Sequence, residues 1–212
     1  MQVIKPSIEI MTTEDYESMI KRIELAGRTC YKSEESVKED SAERFIMAIM
    51  NKNHESVLEH ASVTVRVICD RGVTHEIVRH RIASYSQEST RYCNYADDKF
   101  GNKITLIDIA SGFGYDLKDE KDFEKYATWV EAMENAEKSY FRLLELGATP
   151  QEARSVLPNS LKTEIVMTMN VRAWRNFFKL RCAKDAHPQM REVAEMIFRE
   201  FNAKYPIFVY GM

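Results

Sequence analysis

The sequence predicts a single α+β domain over residues 1–212, built on a small, mostly antiparallel sheet flanked by long helices. Three observations predict it. Strand-like segments with alternating or β-branched residues recur at 3–10, 61–69, 103–109 and 162–170. The helical stripes between them are uneven in length, unlike the regular strand–helix repetition of a doubly wound sheet. At 212 residues, 44% hydrophobic and 30% charged, the chain can bury a core unaided and has an ordinary globular composition. No internal repeat or low-complexity linker divides it.

Taken in order, VIKPSIEI at 3–10 reads as one short strand, with Pro6 suggesting an edge position. Thr12 or Thr13 can cap a helix whose apolar stripe is Tyr16, Met19, Ile20, Ile23 and Ala26. A second helix carries Phe45, Ile46, Ile49 and Met50 after acidic residues at 39–43, which suit a helix N-terminus. ASVTVRVIC at 61–69 alternates as a strand, Arg71-Gly72 breaks it, and 73–81 continues as a helix. Residues 82–101 lack steady periodicity and read as a long polar loop, a length that is usually functional inside a compact domain. A strand at 103–109 and a Gly-rich turn lead to the longest helix, 121–146, with Phe123, Tyr126, Val130, Met133, Tyr140 and Leu144 as its apolar face. A short helix ends near Leu157-Pro158, and 162–170 (KTEIVMTMN) is a strand. Helices follow at 171–181 and 188–203, the second with Pro188 in its first turn, where proline is tolerated.

The formal charge of -3 excludes a protein built to bind nucleic acid wholesale. Basic chemistry must be local, and the arginines do crowd into 79–91 and 172–181. The four cysteines, Cys30, Cys69, Cys93 and Cys182, have no C-x-x-C or zinc-ribbon spacing and read as scattered thiols of a reducing cytosol. No apolar run approaches 18 residues and no signal-peptide pattern follows Met1, so a soluble, cytoplasmic protein is expected.

Two motifs imitate metal sites. HEIVRH at 75–80 and HESVLEH at 54–60 place their histidines at i+5 and i+6, whereas zinc-binding H-E-x-x-H needs i+4 to align two imidazoles on one helix face. No metal site is expected. With seven glycines and neither G-x-G-x-x-G nor a Walker-type loop, any nucleotide must be held by side chains.

The richest constellation is RHRIASYSQESTRY at 79–92. Arginine presents a planar fork of donors matched to phosphate oxygens, and hydroxyls add short hydrogen bonds. An Arg-His-Arg triplet alone reads as a solvated basic helix end; the hydroxyl, amide and arginine residues that follow it point to ligand binding. A second constellation is Arg172, Arg175, Asn176, Lys179 and Arg181 in NVRAWRNFFKLR, where Arg172, Arg175/Asn176 and Lys179 recur at helical spacing as a cationic face opposite Trp174, Phe177, Phe178 and Leu180. Arg154, beside Val156 and Leu157, reads either as a salt-bridge partner or as a third cationic contribution.

These residues resemble the flavin-dependent thymidylate synthases. That family is marked by R-H-R, seven residues and Ser, matched by Arg79-His80-Arg81, Ile82 to Glu88, then Ser89, with Arg91-Tyr92 continuing the pattern. Arg28-Thr29-Cys30-Tyr31, His54-Glu55-Ser56 with Glu59-His60, the EARSVLP run around Arg154 and the NVRAWRNFFKLR helix extend the likeness over about residues 26–203. The resemblance implies reductive methylation of dUMP to dTMP. It implies FAD as cofactor, 5,10-methylenetetrahydrofolate as carbon donor, NADPH as reductant, and a homotetramer whose active sites are shared between subunits.

Carried over residue by residue, the resemblance puts Ser56, Glu59, Arg79, His80, Arg81, Asn170, Arg172 and Asn176 at FAD. It puts Glu76, Gln87, Ser89, Thr90 and Arg91 at dUMP, with Gln87 also reaching the flavin, and Arg79 and Glu88 also reaching the nucleotide. Arg154 reaches the phosphate from another subunit. Arg181, Ser89 and His54 are the catalytic candidates: Arg181 against the pyrimidine, Ser89 orienting the substrate, His54 on the flavin and folate side. The family uses no cysteine nucleophile, and no cysteine here has basic neighbours that would activate it. The chain departs from many relatives at 182–191, where CAKDAHPQMR places Asp185 at the position of a family histidine, and at Cys30, which replaces a more familiar serine. Competing readings are a nucleic-acid module stacking bases on Tyr85, Tyr92 and Tyr95, and a flavoprotein of the same fold acting on another nucleotide.

Overall fold

The N-terminal stretch expected as one strand is two, β1 (Gln2–Ile4) and β2 (Ser7–Ile10), and they enter different sheets. The computed structural model describes residues 1–97 and 100–212, so positions 98 and 99 of the expected 82–101 loop lie outside the described residues. Pro6 is buried between β1 and β2 and has no N–H with which to continue a ladder, so it marks the switch between sheets, and the strands on either side of it are both edge strands, as expected. β1 pairs in parallel with β5 (Thr105–Ile107). β2 is an edge of a four-stranded antiparallel sheet of order β2-β3-β6-β4, with β3 at Ser62–Asp70, β4 at Ser84–Gln87 and β6 at Lys162–Asn170.

β3 and β6 are registered along their whole length, from Ser62 opposite Asn170 to Asp70 opposite Lys162. Strand alternation sends Val63, Val65, Val67, Cys69, Ile165, Met167 and Met169 to one face, all fully buried or nearly so. Against them pack Met19 and Ile23 from α1 (Tyr16–Tyr31) and Ile46 from α2 (Ala42–Asn51). Trp174, Phe177 and Phe178 from α7 (Val171–Arg181) and Phe201 from α8 (Pro188–Lys204) complete the layer. The other face is polar, with the Thr64 and Thr168 hydroxyls 2.9 Å apart across the ladder.

Helix starts follow side-chain caps. α1 begins at Asp15, whose carboxylate accepts from Ser18 N at 2.8 Å, and not at Thr12 or Thr13. Thr12 instead accepts the Thr64 N–H at 2.7 Å, which ties the chain to β3. Asp70 ends β3 and caps α3 (Arg71–Ile77) by accepting from Val73 N, so the strand stops at Arg71-Gly72 as expected and the helix already opens there, ahead of the expected 73. α3 stops at Ile77, four residues before the expected 81.

The expected loop contains β4, whose serines face solvent while Tyr85 packs on the core. The Gly-rich turn is a short helix, α4 (Ala110–Phe113). Gly112 is required there, because a Cβ would lie 2.5 Å from Gln189 Cγ on α8. α5 (Glu120–Glu145) covers a second, smaller core of Ile104, Leu106, Met133, Tyr140, Ala153 and Leu161. Of its expected apolar face only Met133 and Tyr140 are buried, and Phe123 is 56% exposed. α6 (Pro150–Ala153) is held by a reciprocal capping box of Thr149 and Glu152 and runs into a 3-10 turn at Arg154–Val156. Among the described residues no helix is long and apolar enough to cross a membrane.

Trp174 joins these layers. It is fully buried, donates Nε1–H to Val63 O at 3.0 Å, and lies against Phe177, Phe178 and Phe201. Trp174→Ala is expected to cost about 3–5 kcal/mol, whereas Phe123→Ala should stay within about 0.5 kcal/mol. Urea denaturation of both variants checks the contrast.

Candidate functional site

α3 and α7 leave opposite ends of the β3–β6 pair and finish at the same place. Arg181, the last residue of α7, donates Nη1–H to Glu76 Oε2, Nη2–H to Glu76 O at 2.9 Å, and Nε–H to His80 Nε2 at 2.9 Å. Its guanidinium thus sits at the carbonyl ends of two helices, where the helix dipoles favour a cation. His80 is buried with its ring 4.9 Å from Phe177. Since Nε2 accepts from Arg181, the proton of the neutral ring is on Nδ1. Burial, and then the Arg181 charge, hold its pKa down at about 4.

The Arg79-His80-Arg81 triplet lies in the turn after α3, and its side chains diverge. His80 points inward, while Arg79 and Arg81 are exposed and line a cleft of about 520 Å³ with His75 and Val78. Tyr85 stabilises the turn, its hydroxyl 2.8 Å from His80 O and 2.9 Å from Ile77 O, a carbonyl that also accepts the His80 N–H.

A second group gathers where α7 begins. Asn170 caps the helix by accepting from Ala173 N at 2.8 Å, and Arg172 pairs with Glu59 at 2.7 Å. Arg172, Asn176 and Lys179 form an exposed face, as the spacing predicts, although Leu180, expected on the buried side, is 51% exposed. Arg175 turns away from that face, donating to the carbonyls of Phe208 and Tyr210 at 3.0 Å each. Ser56 and Glu59 are exposed on the 3-10 helix Glu55–His60. His54 precedes them, also exposed, with Nδ1 2.6 Å from the Tyr31 hydroxyl and the two rings stacked.

The third group lies at the far end of β4. Thr74 donates its hydroxyl proton to Arg71 O at 2.8 Å, so its oxygen accepts from Gln87 Nε2 at 3.1 Å. A second Gln87 N–H reaches Thr163 at 3.3 Å. The Gln87 nitrogen is therefore turned inward. Ser89 accepts Arg91 N–H on its hydroxyl at 3.3 Å, and its carbonyl accepts from Tyr92 and Cys93. Thr90 is buried, with Arg154 Nη1 3.4 Å from its hydroxyl, and Arg91 is exposed. Arg154 thus stands beside Thr90 of its own chain, so the two can serve one binding site only together. Glu88 points elsewhere, toward Lys162 and Tyr95, beside a cleft of about 390 Å³.

The hydrogen bonds of the Glu76–His80–Arg181 and Thr90–Arg154 groups share no residue. Sequence reasoning gave no role to Thr74, Lys162 and Thr163, which support the expected site residues from behind; the only signal was their place in the helix and strand patterns. Tyr31 entered only within the 28–31 segment and is exposed. Burial raises the thiol pKa values of Cys69 and Cys182, the latter to about 11, opposite to the shift a cysteine nucleophile needs. Among the described residues no three metal-ligating side chains gather.

The neutral His80 makes folding pH-dependent. Its folded pKa lies below the unfolded value, so the unfolded chain binds more protons between them, and stability rises with pH across roughly 4 to 6.5. Lowering the pH from 7.5 to 5 should remove about 1–2 kcal/mol through this residue. In His80→Gln that contribution should vanish, as urea titrations at the two pH values would measure.

The family model described as thymidylate synthase complementing protein matches residues 13–207. The chain is 36% identical over 167 residues to the flavin-dependent thymidylate synthase of Pyrococcus abyssi, covering 78% of this chain and 65% of the relative. The enzyme of that name from Geobacter sulfurreducens is 35% identical over 184 residues, covering 84% of this chain and 75% of the relative. A similar solved structure is the UMP/dUMP methylase PolB from Streptomyces cacaoi bound with 5-Br dUMP, with a TM-score of 0.77 and 25% identity over 99% of this chain and 95% of that one. By the family model and these relatives together, the chain belongs to the flavin-dependent thymidylate synthases.

Proposed function

We propose that the chain makes dTMP from dUMP in the cytoplasm, with FAD as its flavin, 5,10-methylenetetrahydrofolate as carbon donor and NADPH as reductant. The observation that carries this reading is the fixed guanidinium of Arg181. Glu76 and His80 hold it from one side, which leaves an oriented cation whose position needs no reorganisation when a carbonyl oxygen of the pyrimidine gains charge. A neutral His80 suits that role, since an imidazolium there would repel the guanidinium.

The residues suit a flavin dinucleotide. Arg79 and Arg81 offer two exposed cations for a pyrophosphate, with apolar Val78 and Ile82 exposed next to them. Arg172, Asn176, Glu59 and Ser56 add a row of exposed polar groups, with Asn170 positioned beside them as the cap of α7 and Gln87 on β4. When bound, the flavin supplies the hydride that completes the methyl group. The chain's own part is to bind, orient and exclude water. Ser89, Thr90, Arg91 and Arg154 take the substrate phosphate, Gln87 and Glu76 its nucleoside, and His54 faces the folate.

We read the Thr90–Arg154 and Glu76–Arg181 groups, whose hydrogen bonds share no residue, as phosphate and pyrimidine sites that different subunits of a homotetramer supply to one another. On this reading Arg154 does arrive from another subunit, and Thr90 and Arg91 arrive with it. The name of the Streptomyces neighbour favours a second reading in which UMP is also methylated.

Purified protein is expected to be yellow, to release FAD on denaturation, and to convert dUMP only when folate and NADPH are both supplied. Turnover assays with dUMP and UMP in parallel separate the two readings, and protein that gains no flavin absorbance with added FAD would refute both. Arg91→Ala should weaken dUMP binding about 30-fold, roughly 2 kcal/mol for a charge-assisted contact, while Arg172→Ala should weaken FAD and spare dUMP. Equal losses of both ligands in either variant would overturn these assignments.

A further inference from the structure

Glu88 sits inside the motif that reads as ligand-binding, yet its polar atoms face the protein. Its N–H donates to Glu164 O at 2.8 Å, extending the β4–β6 ladder by one bond. Carboxylate Oε2 accepts from Lys162 Nζ at 3.0 Å, and Oε1 accepts from the Tyr95 hydroxyl at 3.2 Å. The two charged side chains are only 19% and 13% exposed. Tyr95 is buried, and its backbone N–H donates to the Tyr140 hydroxyl on α5 at 3.3 Å. Glu88 is thus tied to both β6 and, through Tyr95, to α5. The next residue is Ser89, which opens the turn carrying Thr90 and Arg91.

We propose that Lys162, Glu88 and Tyr95 form an anchor that holds the Ser89–Arg91 turn in its anion-binding shape, so that Lys162 and Glu88 are positioning residues for the substrate phosphate. This rests on the nucleotide reading given above. The anchor acts in two ways. It fixes the backbone from which three phosphate-directed side chains project, and a misplacement of about 1 Å there is costly. It also cancels a carboxylate that would otherwise repel a phosphate one residue away. Lys162 is suited to both tasks because it bridges Glu88 and Glu164, at 3.0 and 2.6 Å, and removing it would leave a half-buried carboxylate without its partner.

A structural residue and a positioning residue differ in what they discriminate. Calorimetric titration of flavin-loaded protein with dUMP and with deoxyuridine, which lacks the phosphate, separates them. Lys162→Met is expected to weaken dUMP at least tenfold while leaving deoxyuridine and FAD within twofold, and Lys162→Arg to recover most of the loss. Tyr95→Phe, which keeps the aromatic packing and removes one hydroxyl, should give a smaller loss of two- to threefold with the same dependence on phosphate. In turnover, KM for dUMP should rise with kcat within twofold. Equal losses for dUMP and deoxyuridine, or unchanged dUMP affinity in both Lys162→Met and Tyr95→Phe, would overturn the anchor. Should Lys162→Met fail to fold, Tyr95→Phe decides alone. Failure of the unmodified protein to bind dUMP would overturn the nucleotide reading and the anchor with it, whereas normal binding there with losses that ignore the phosphate condemns the anchor only.

Discussion

The antiparallel pairing of β3 with β6 is the constraint on which the rest depends. Each of the two strands ends in a residue that caps the helix following it, Asp70 for α3 and Asn170 for α7. Because the strands are antiparallel and in full register, those caps lie at opposite ends of the sheet, and the helices they launch converge. Their C-terminal ends meet at Arg181, Glu76 and His80. One ladder therefore sets the place, the direction and the electrostatic environment of the central cation.

The same geometry divides the labour of the arginine motif. A helix running on to Arg81 would have spread the triplet around its circumference, because successive helical residues do not share a face. Ending α3 at Ile77 lets the chain turn, so that His80 is drawn into the core against Phe177 while Arg79 and Arg81 stay at the surface. Tyr85 closes the turn from β4, and β4 in turn leads to Glu88 and the Ser89–Arg91 segment. Two sets of ligand-directed side chains thus hang from the two ends of one short edge strand.

Much of this was legible in the sequence. KTEIVMTMN and NVRAWRNFFKLR give their strand and helix without error, because alternation and an Asn cap agree with the fold at every level. SYSQ at β4 did not read as a strand: it has no β-branched residue, and its partner is about eighty residues away. Three residues, Thr12, Thr13 and Asp15, offer cap side chains, and the choice of Asp15 follows from Thr12 being engaged with β3. The candidate site residues rest on residue type, spacing and the family resemblance, none of which can tell a carboxylate that faces a ligand from one that faces a lysine. Glu88 is the example. His80 is another, since a histidine between two arginines gives no sign of which way its ring turns.

The β3–β6 ladder also governs how the chain must reach this structure. Even the nearest pair of the ladder, Asp70 with Lys162, is separated by 91 residues of intervening chain, so closing that loop costs roughly 4 kcal/mol of chain entropy before the first ladder bond forms. Hairpin-like nucleation is closed to it, because no tight turn joins the two strands. Folding therefore has to wait on a long-range encounter: α1, α2 and α5 can form from local contacts, but the end of α3 cannot reach Arg181 at the end of α7 until the strands have met. The cationic centre therefore cannot be completed before the β3–β6 ladder that launches both of its helices.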